Sequence, residues 1–218
     1  MHLEPFDELS HSLIEEINTY GEHVTFDKGV TCMQGDDLLE HFYIILNGRM
    51  KVFDINFDTN REQTIFMLTR GDVFDVVTLL DGQAHDVMTE AIDELSVIRL
   101  PMQKARHWLK SNPAFNQLLL PYIARQMRSL ESLSVSLSLY DTSERLMRLI
   151  IDNLDPKTDK PDLLNNLSHS EIAKMIGSVR QVIERNLKKL QREGLLDVGR
   201  KTLLVKNLNQ LKEKINYF

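Results

Sequence analysis

Between Gly21 and Leu100, short apolar runs alternate with turns rich in glycine, asparagine and aspartate. Runs of this kind are typical of β-strands, and the pair Asn47-Gly48 within HFYIILNGRMKVFD predicts a two-residue hairpin. Because each strand must turn back after a few residues, the pattern predicts an antiparallel barrel or roll, whose closure leaves no long edge unpaired. Residues 1–110 are therefore expected to form a β-roll sensor domain with flanking helices.

Beyond this region the apolar spacing becomes helical. Pro101 suits the first turn of a helix, and a break at residues 111–113 separates that helix from a longer one. The longer helix has the following residues at spacings of three and four: Leu119, Ile123, Gln126, Leu130, Leu133, Leu137 and Tyr140. This spacing predicts a coiled-coil seam in a dimerisation helix over residues 111–140, with Gln126 fixing the register and Pro121 marking a kink or the helix start. Packing of the helix onto the chain's own roll is the alternative.

Two capping-box patterns predict helix starts in the last third of the chain. The first, Asp141-Thr142-Ser143-Glu144, places the beginning of a second domain at residue 141, and a charged loop follows over residues 155–162. The second, Ser168-His169-Ser170-Glu171, begins a short helix that ends in a tight turn at Gly177. The domain boundaries expected from these signals are 1–110, 111–140 and 141–218.

The segment SVRQVIERNLKKLQRE, which follows Gly177, predicts a second helix with one apolar and one polar side. The apolar side is expected to hold Val179, Val182, Ile183, Leu187 and Leu190, and the outer side Arg180, Gln181, Glu184, Arg185 and Lys188. A short helix, a glycine turn and a second helix with a basic outer face are the layout of a helix-turn-helix that enters the major groove. A solvated amphipathic helix pair is the alternative.

The next stretch, LLDVGRKTLLVKN, predicts a hairpin with Gly199 at its turn and Arg200, Lys201 and Thr202 at its tip. Such a hairpin is a wing, whose cationic tip contacts phosphates and positions the protein without specifying sequence. The helix-turn-helix and the wing together therefore predict a winged DNA-binding domain.

Net charge is distributed unevenly along the chain. The overall charge is −6, but residues 1–140 hold 11 Lys+Arg and 21 Asp+Glu (−10), and residues 141–218 hold 15 and 11 (+4). Residues 163–206 alone carry nine basic and four acidic side chains (+5). A basic part next to an acidic part indicates that only the basic part meets phosphate. Chance asymmetry is the alternative.

Several classes of protein are excluded by composition. The single cysteine, Cys32, cannot form an intramolecular disulfide or a cysteine-held zinc or iron–sulfur site, and we expect it to be a core residue rather than a sensor. The acidic amino terminus lacks a secretion signal and no apolar run approaches about 18 residues, so a cytoplasmic protein without membrane contact is expected. No nucleophile–base pair, metal-ligand spacing or phosphate loop indicates an enzyme or a metal site.

Three motifs, HFYIILNGRMKVF, RGDVFDVVTLLDGQAHDVMTEAIDELSVIRLP and IGSVRQVIERNLKKLQREGLL, make the chain resemble the Crp-Fnr family of bacterial transcription regulators. The resemblance covers nearly the full length. It implies an α+β fold with an N-terminal cyclic-nucleotide-binding-like β-roll (a jelly roll), a long dimerisation helix and a C-terminal winged helix-turn-helix. It also implies a homodimer that binds double-stranded DNA and contacts RNA polymerase.

The resemblance extends to individual residues of the DNA-reading helix. The Arg-Glu-x-x-x-Arg set of the family matches Arg180, Gln181 and Arg185, with glutamine in place of glutamate. Arginine pairs with guanine and an amide suits adenine, so we expect a half-site altered at the base that Gln181 faces. The expected DNA-binding residues are Ser168, His169, Ser178, Arg180, Gln181, Arg185, Lys188, Arg200 and Lys201.

The effector pocket implied by the resemblance differs in its residues from the pocket of the family members that bind cyclic AMP. Their glycine, the ribose-binding glutamate after it and the phosphate-binding arginine align with Asp75, Val76 and His85, and Asp86 follows the histidine. An anionic phosphate would meet carboxylates here, so cyclic AMP is disfavoured; a protonated His85 or a contribution from Arg125 is the route by which it would still bind. The expected pocket residues are Phe74, Asp75, Val76, His85 and Arg125, with Leu79 and Leu80 adding apolar wall and Asp86 near the rim.

Two other sensing modes of the family do not fit the residues at these positions. The iron–sulfur type needs several cysteines, and the carbon-monoxide type needs a cysteine and a histidine where this chain has Asp75 and Val77. Haem held by other ligands stays open. The sequence thus predicts a dimeric regulator controlled by an unidentified small effector or prosthetic group; the alternatives are an effector-independent regulator, a haem-based gas or redox sensor, and a signalling module that does not bind DNA.

Overall fold

The computed structural model describes residues 11–155, 158, 160–199 and 202–216. The chain forms two compact units, Met1–Asp54 with Ile65–Leu130, and Ile55–Thr64 with Glu131–Phe218. No helix in the described part of the chain is both long and apolar enough to cross a membrane.

The first part of the chain combines strands with short helices and ends in one long helix. The elements are α1 (His11–Tyr20), β1 (Glu22–Phe26), α2 (Asp36–Glu40), β2 (His41–Asn47), β3 (Met50–Asn56), β4 (Arg61–Leu68), β5 (Val73–Phe74), α3 (Val76–Asp81), β6 (Met88–Ala91), β7 (Leu95–Pro101), α4 (Met102–Ser111) and α5 (Pro113–Leu139). The strands form two sheets, β1-β7-β2-β5 and β4-β3-β6. The predicted antiparallel roll with flanking helices is confirmed.

The strand β2 shows how the roll is held between two apolar layers. Because side chains alternate along a strand, Phe42 and Ile44 join a buried cluster with the helix residue Trp108, whereas Tyr43 and Ile45 join a second cluster inside the roll. The strand is buried on both faces, which explains its continuous apolar sequence.

The prediction of a two-residue hairpin at Asn47-Gly48, between β2 and β3, is wrong. The two strands belong to different sheets, so the chain turns a corner of the roll at this point instead of folding back on itself. Gly48 has a φ of +84°, and a Cβ built there would lie 2.3 Å from the backbone oxygen of Glu94. The glycine therefore permits both a left-handed backbone and a close approach of two chain segments.

Alanine at Gly48 is expected to destabilise the protein more than alanine at Gly29. The φ of Gly29, +82°, is close to that of Gly48, but a Cβ built at Gly29 would have nothing within 4 Å. Both changes carry a left-handed strain of about 1–2 kcal/mol. Only Gly48→Ala adds the overlap with a backbone atom, which we expect to cost about 1–3 kcal/mol more. Urea denaturation of the two variants measures the difference, and equal losses of unfolding free energy would contradict it.

Three further local predictions differ from the structure. Pro101 is the last residue of β7 and the residue before α4, so the helix begins at Met102 instead. The short helix α3 was not predicted, because its β-branched start resembles a strand. The predicted loop over residues 155–162 includes parts of two short paired strands, β8 (Leu154–Asp155) and β9 (Lys160–Pro161), and part of it lies outside the described residues.

The long helix differs in its surroundings along its length. Pro121 lies inside α5, which begins at Pro113, and the first half of the helix packs on the roll through Leu119 and Tyr122. Gln126 donates from Nε2 to the Tyr122 hydroxyl at 2.7 Å, so this side chain bonds within its own helix. The second half exposes Leu130, Leu137 and other apolar side chains. Packing onto the chain's own roll, the alternative at the sequence level, therefore accounts for the first half only.

The second part of the chain is built from short helices and two small hairpins. Its elements are α6 (Thr142–Asp152), β8 (Leu154–Asp155), β9 (Lys160–Pro161), a 3₁₀ turn (Asp162–Leu164), α7 (His169–Met175), α8 (Arg180–Arg192), β10 (Leu196–Gly199), β11 (Thr202–Val205) and α9 (Leu208–Glu213). Its buried side chains include Leu146, Ile150, Ile172, Ile183, Leu187, Leu190, Leu203 and Leu211. The winged helix-turn-helix predicted for this part is confirmed.

The single cysteine is held in a thiol form that reacts poorly. Burial, together with the nearby Glu90 carboxylate, raises the pKa of Cys32 to about 12. Alkylation requires the thiolate. We therefore expect iodoacetamide at pH 8 to modify Cys32 at least about a hundredfold more slowly than a free thiol with a pKa near 8.5, as measured by mass spectrometry of the native protein. A rate equal to that of free cysteine would contradict this.

Candidate nucleic-acid interface and effector cavity

Both predicted capping boxes begin helices in the structure. The Asp141 side chain accepts from the Glu144 amide at 2.9 Å at the start of α6, and the Ser168 hydroxyl oxygen accepts from the Glu171 amide at 3.1 Å at the start of α7. The Ser168 hydroxyl keeps its own proton, so it can still donate to an acceptor such as a phosphate oxygen. The cap thus fixes the position of a donor at the exposed end of α7.

The turn between α7 and α8 depends on Gly177. Its φ is +60°, and a Cβ there would lie 2.9 Å from Leu137 Cδ2. The helix α8 begins at Arg180, two residues later than the sequence pattern places it, and Val179 is 52% exposed, so its assignment to the apolar side of the helix is wrong. It precedes the helix in an extended conformation and therefore does not follow the helical spacing.

The helix α8 separates its apolar and polar residues as predicted. Ile183, Leu187 and Leu190 are buried and face the core of the second unit. The side chains of Arg180, Gln181, Arg185 and Lys188 are exposed. Four groups able to hydrogen-bond base edges or phosphates therefore project from one face of the helix.

Glu184 also lies on this face of α8, and the sequence pattern assigned it to the outer side of the helix without a partner. Glu184 Oε1 accepts from Arg180 Nε at 2.6 Å and lies 3.6 Å from His169 Nδ1. The hydrogen bond from Arg180 and the proximity of His169 lower the pKa of Glu184, so its carboxylate stays ionised. The contact links the starts of α7 and α8 and engages Arg180 through Nε. The i,i+4 spacing from Arg180 was the sequence signal for this pair.

A concave surface lies between the starts of α7 and α8 and the wing strands, and the space that it encloses has a volume of about 420 Å³. Ser168, His169 and Arg180 line it from the helices, and Gly199 and Thr202 line it from β10 and β11. Arg200 and Lys201, the predicted wing tip, lie outside the described residues. Ser178 is half-buried in the turn, and its amide donates to Ala173 at 2.9 Å.

A second candidate site lies in the first unit, between β5, α3 and α5. It is a cavity of about 150 Å³. The predicted pocket residues Phe74, Asp75, Val76 and His85 line it, together with Phe66, Leu68, Val73, Val77, Leu80, Tyr122, Ile123, Gln126, Met127 and Leu130. The remaining predicted residue, Arg125, does not: it is exposed, with its guanidinium 5.7 Å from the centre of the Tyr122 ring.

Two other expectations about this pocket are also wrong. Leu79 is fully packed in the helix-side core and does not line the cavity, because α3 turns it away from Leu80. Asp86 is exposed and is not part of the lining either. The short helix α3, which the sequence pattern did not predict, is the physical reason for the first of these errors.

The polar end of the cavity is formed by Asp75 and His85. Asp75 has a φ of 70°, a conformation in which the family's glycine is the residue with least strain. Its side chain is completely buried, with Oδ1 3.1 Å from His85 Nδ1, and its Oδ2 has no hydrogen-bond partner among the described residues. A carboxyl group therefore occupies the place where a glycine would leave open space.

Neither a cyclic nucleotide nor haem fits this lining. None of the residues around the cavity is a lysine or arginine, so a cyclic phosphate would meet the Asp75 carboxyl without a fixed cation. The volume of about 150 Å³ is also below the ~300–1,000 Å³ of pockets for larger organic ligands. No group of three or more His, Cys, Asp or Glu side chains that could hold a metal ion occurs among the residues described.

Comparison with protein families gives two matches that follow the two units. Residues 23–112 match the cyclic nucleotide-binding domain, and residues 144–214 match the Crp-like helix-turn-helix domain. The chain is 28% identical over 189 residues to the global nitrogen regulator of Synechocystis sp., covering 84% of each protein. It is 24% identical over 213 residues to the cyclic AMP receptor protein of Thermus thermophilus, covering 94% of this chain and 95% of that protein.

Solved structures share the fold over most of the chain. FixK2 from Bradyrhizobium japonicum superposes with a TM-score of 0.77 at 20% identity, covering 88% of this chain and 96% of that one. A CooA mutant from Carboxydothermus hydrogenoformans gives a TM-score of 0.79 at 20% identity, covering 98% and 94%. The named relatives are regulators and not enzymes. A cyclic-nucleotide-binding-like roll followed by a Crp-like helix-turn-helix identifies the chain as a DNA-binding transcription regulator of the Crp/Fnr family.

Proposed function

We propose that this regulator acts in the cytoplasm as a homodimer, reads a specific DNA sequence through α8, and is controlled by a small effector other than cyclic AMP. The observation that carries the DNA-reading part is the row of exposed side chains on α8, Arg180, Gln181, Arg185 and Lys188, of which Arg180 also lines the concave surface. RNA polymerase is the further partner, as expected for a regulator that acts on transcription.

The base-reading assignment follows from side-chain chemistry. The forks of Arg180 and Arg185 suit the O6 and N7 acceptors of guanine, and Gln181 suits adenine. Ser168, His169, Ser178 and Lys188, with Arg200 and Lys201 of the wing, supply phosphate contacts that position the domain. We therefore infer a half-site with guanines at two positions and an altered base where Gln181 replaces the family's glutamate.

Salt dependence of binding tests this function directly. Purified protein and duplexes enriched by binding-site selection are titrated by fluorescence anisotropy at several salt concentrations. Each phosphate contact adds about −0.9 to the slope of log K against log salt, so a dimer with six contacts gives a slope near −5. A protein that shows no salt-dependent affinity for duplex DNA would instead be a signalling module that binds protein.

Dimerisation is supported by the second half of α5. Leu130 is 42% exposed, Leu137 37% and Leu139 73%, which is unusual for large apolar side chains along one helix. A partner helix packed along the seam Leu130, Leu133 and Leu137 would remove this surface from water. A dimer also presents two reading helices to two half-sites.

The cavity supports control by an effector that is not cyclic AMP. Asp75 and the absence of a basic side chain from its lining oppose an anion, as described above. Adding cyclic AMP is therefore expected to leave operator affinity unchanged, and a cyclic-AMP-dependent rise would contradict the proposal. The effector-independent alternative predicts full operator binding without additives. The haem alternative predicts a Soret band in the absorbance spectrum of the purified protein.

A further inference from the structure

We propose that the effector is a small uncharged molecule with an apolar body about the size of one aromatic ring and a hydrogen-bond donor that Asp75 receives. The inference rests on the proposed function, because it names the ligand class of the same effector cavity. It goes further by assigning the recognising atom, Asp75 Oδ2, and by setting limits on size and charge.

The size follows from the cavity. An apolar cavity of about 150 Å³ in another protein holds benzene. The cavity between β5, α3 and α5 has about the same volume. A single ring with one or two substituents therefore fills it, whereas a nucleotide requires the roll and α5 to separate.

The apolar body follows from the walls and the entrance. The walls are aromatic and aliphatic side chains, Phe66, Phe74 and Val76 among them. At the entrance, Leu80 is 48% exposed and Met127 is 66% exposed. A ligand thus meets apolar surface from its first contact to its final position, and the hydrophobic effect favours its entry.

The hydrogen-bond donor of the ligand is inferred from a buried acceptor in the cavity wall, Asp75 Oδ2, that lacks a partner in the part of the chain that the structure describes. Asp75 Oδ1 contacts His85, but the buried Oδ2 has no partner among the described residues. The side chain makes no capping hydrogen bond to α3, which begins at the next residue. A buried acceptor without a donor is costly, so a ligand that brings an O–H or N–H group relieves that cost.

The neutral charge follows from the groups that face the cavity. The polar side chains of the lining are Asp75, His85, Tyr122 and Gln126. The Tyr122 hydroxyl already donates to the Val73 carbonyl at 2.9 Å and accepts from Gln126 at 2.7 Å. An anion would therefore lie against the Asp75 carboxyl with no lysine or arginine in the lining to balance it, and the apolar walls disfavour any charged ligand.

Three one-ring probes separate these requirements. Phenol has a ring and a donor, toluene has a ring without a donor, and benzoate is an anion. Isothermal titration of the full-length protein is expected to give phenol a Kd of about 1 mM or tighter. Toluene is expected to bind about tenfold more weakly, because it leaves Asp75 Oδ2 unpaired, and benzoate more weakly still.

Two variants test whether the probes bind in the cavity. Asp75→Asn keeps the size of the side chain, and asparagine tolerates the left-handed φ. It should reduce the phenol-to-toluene affinity ratio at least about threefold, since the carboxyl acceptor for the phenol hydroxyl is lost. Leu80→Trp, at the half-exposed entrance, should block all three probes. Circular dichroism confirms that each variant is folded. If a variant fails to fold, the three probes on the wild-type protein still test the ligand class.

The ligand class is overturned if benzoate binds as tightly as phenol, if no neutral ring binds, or if folded Asp75→Asn leaves the ratio unchanged. Its failure is distinguishable from failure of the proposed function. Steep salt-dependent DNA binding without phenol binding would refute only the ligand class. Phenol binding with the expected preferences but no DNA binding would refute only the proposed reading of DNA.

Discussion

Arg180→Ala is expected to lower affinity for the selected operator by a factor of roughly 30 or more and to relax base preference at one position of each half-site. A bidentate arginine–guanine pair contributes about 1–3 kcal/mol of discrimination, and a dimer on two half-sites loses it twice. The side chain is exposed and held at Nε by Glu184, so its removal creates no cavity and should leave folding intact. Anisotropy titrations against the selected operator and single-base variants measure both effects.

The matched control is Lys201→Ala at the predicted wing tip. Because a phosphate contact carries no sequence information, this change should weaken all duplexes about equally and reduce the salt slope by about one. Arg180→Ala that leaves both affinity and preference intact would show that α8 does not read DNA through this residue. A uniform loss for Arg180→Ala, like that of the control, would reassign Arg180 to a phosphate.

Features set by a few neighbouring residues could be predicted from the sequence. The acceptors Asp141 and Ser168 lie three residues before a glutamate, and both form the expected cap. The hairpin of β10 and β11 likewise follows from Gly199, which was predicted to lie at its turn and is the last residue of β10. In each case the hydrogen-bond partners lie within a few residues, so local chemistry decides the structure.

Features set by distant partners could not be predicted in this way. Asn47-Gly48 has the local signal of a hairpin, but closure of the roll sends the two flanking strands to different sheets. Gln126 has the spacing of a seam residue, yet its partner is Tyr122, whose hydroxyl is fixed by β5. Periodicity identifies which side chains share a face, not which surface covers that face.

The effector cavity shows the same division. The resemblance identified Asp75 and His85 as departures from the family members that bind cyclic AMP. The structure places Asp75 Oδ1 3.1 Å from His85 Nδ1. Arg125 could not be judged from the sequence, because a helical turn decides whether it faces the cavity or solvent. The absence of Arg125 from the lining removes one of the two routes by which cyclic AMP was still expected to be able to bind.

Leu133→Glu is expected to convert the dimer into a monomer and to lower operator affinity at least about a hundredfold. Leu133 lies between Leu130 and Leu137 on the proposed seam of α5, and two-fold symmetry of the proposed dimer would bring two introduced carboxylates together at the interface. Burying an unpaired carboxylate costs several kcal/mol, which the remaining seam contacts do not offset. A monomer engages one half-site only and loses the gain in effective concentration that a linked second site provides.

The control Ser132→Glu introduces the same charge one residue earlier, on an exposed position away from the seam. It should remain dimeric, since a helix turns by about 100° per residue. Light scattering after size exclusion measures the mass of both variants, and anisotropy measures their operator binding. A wild-type protein that is monomeric at micromolar concentration, or a Leu133→Glu variant that stays dimeric, would mean that the apolar second half of α5 has another partner.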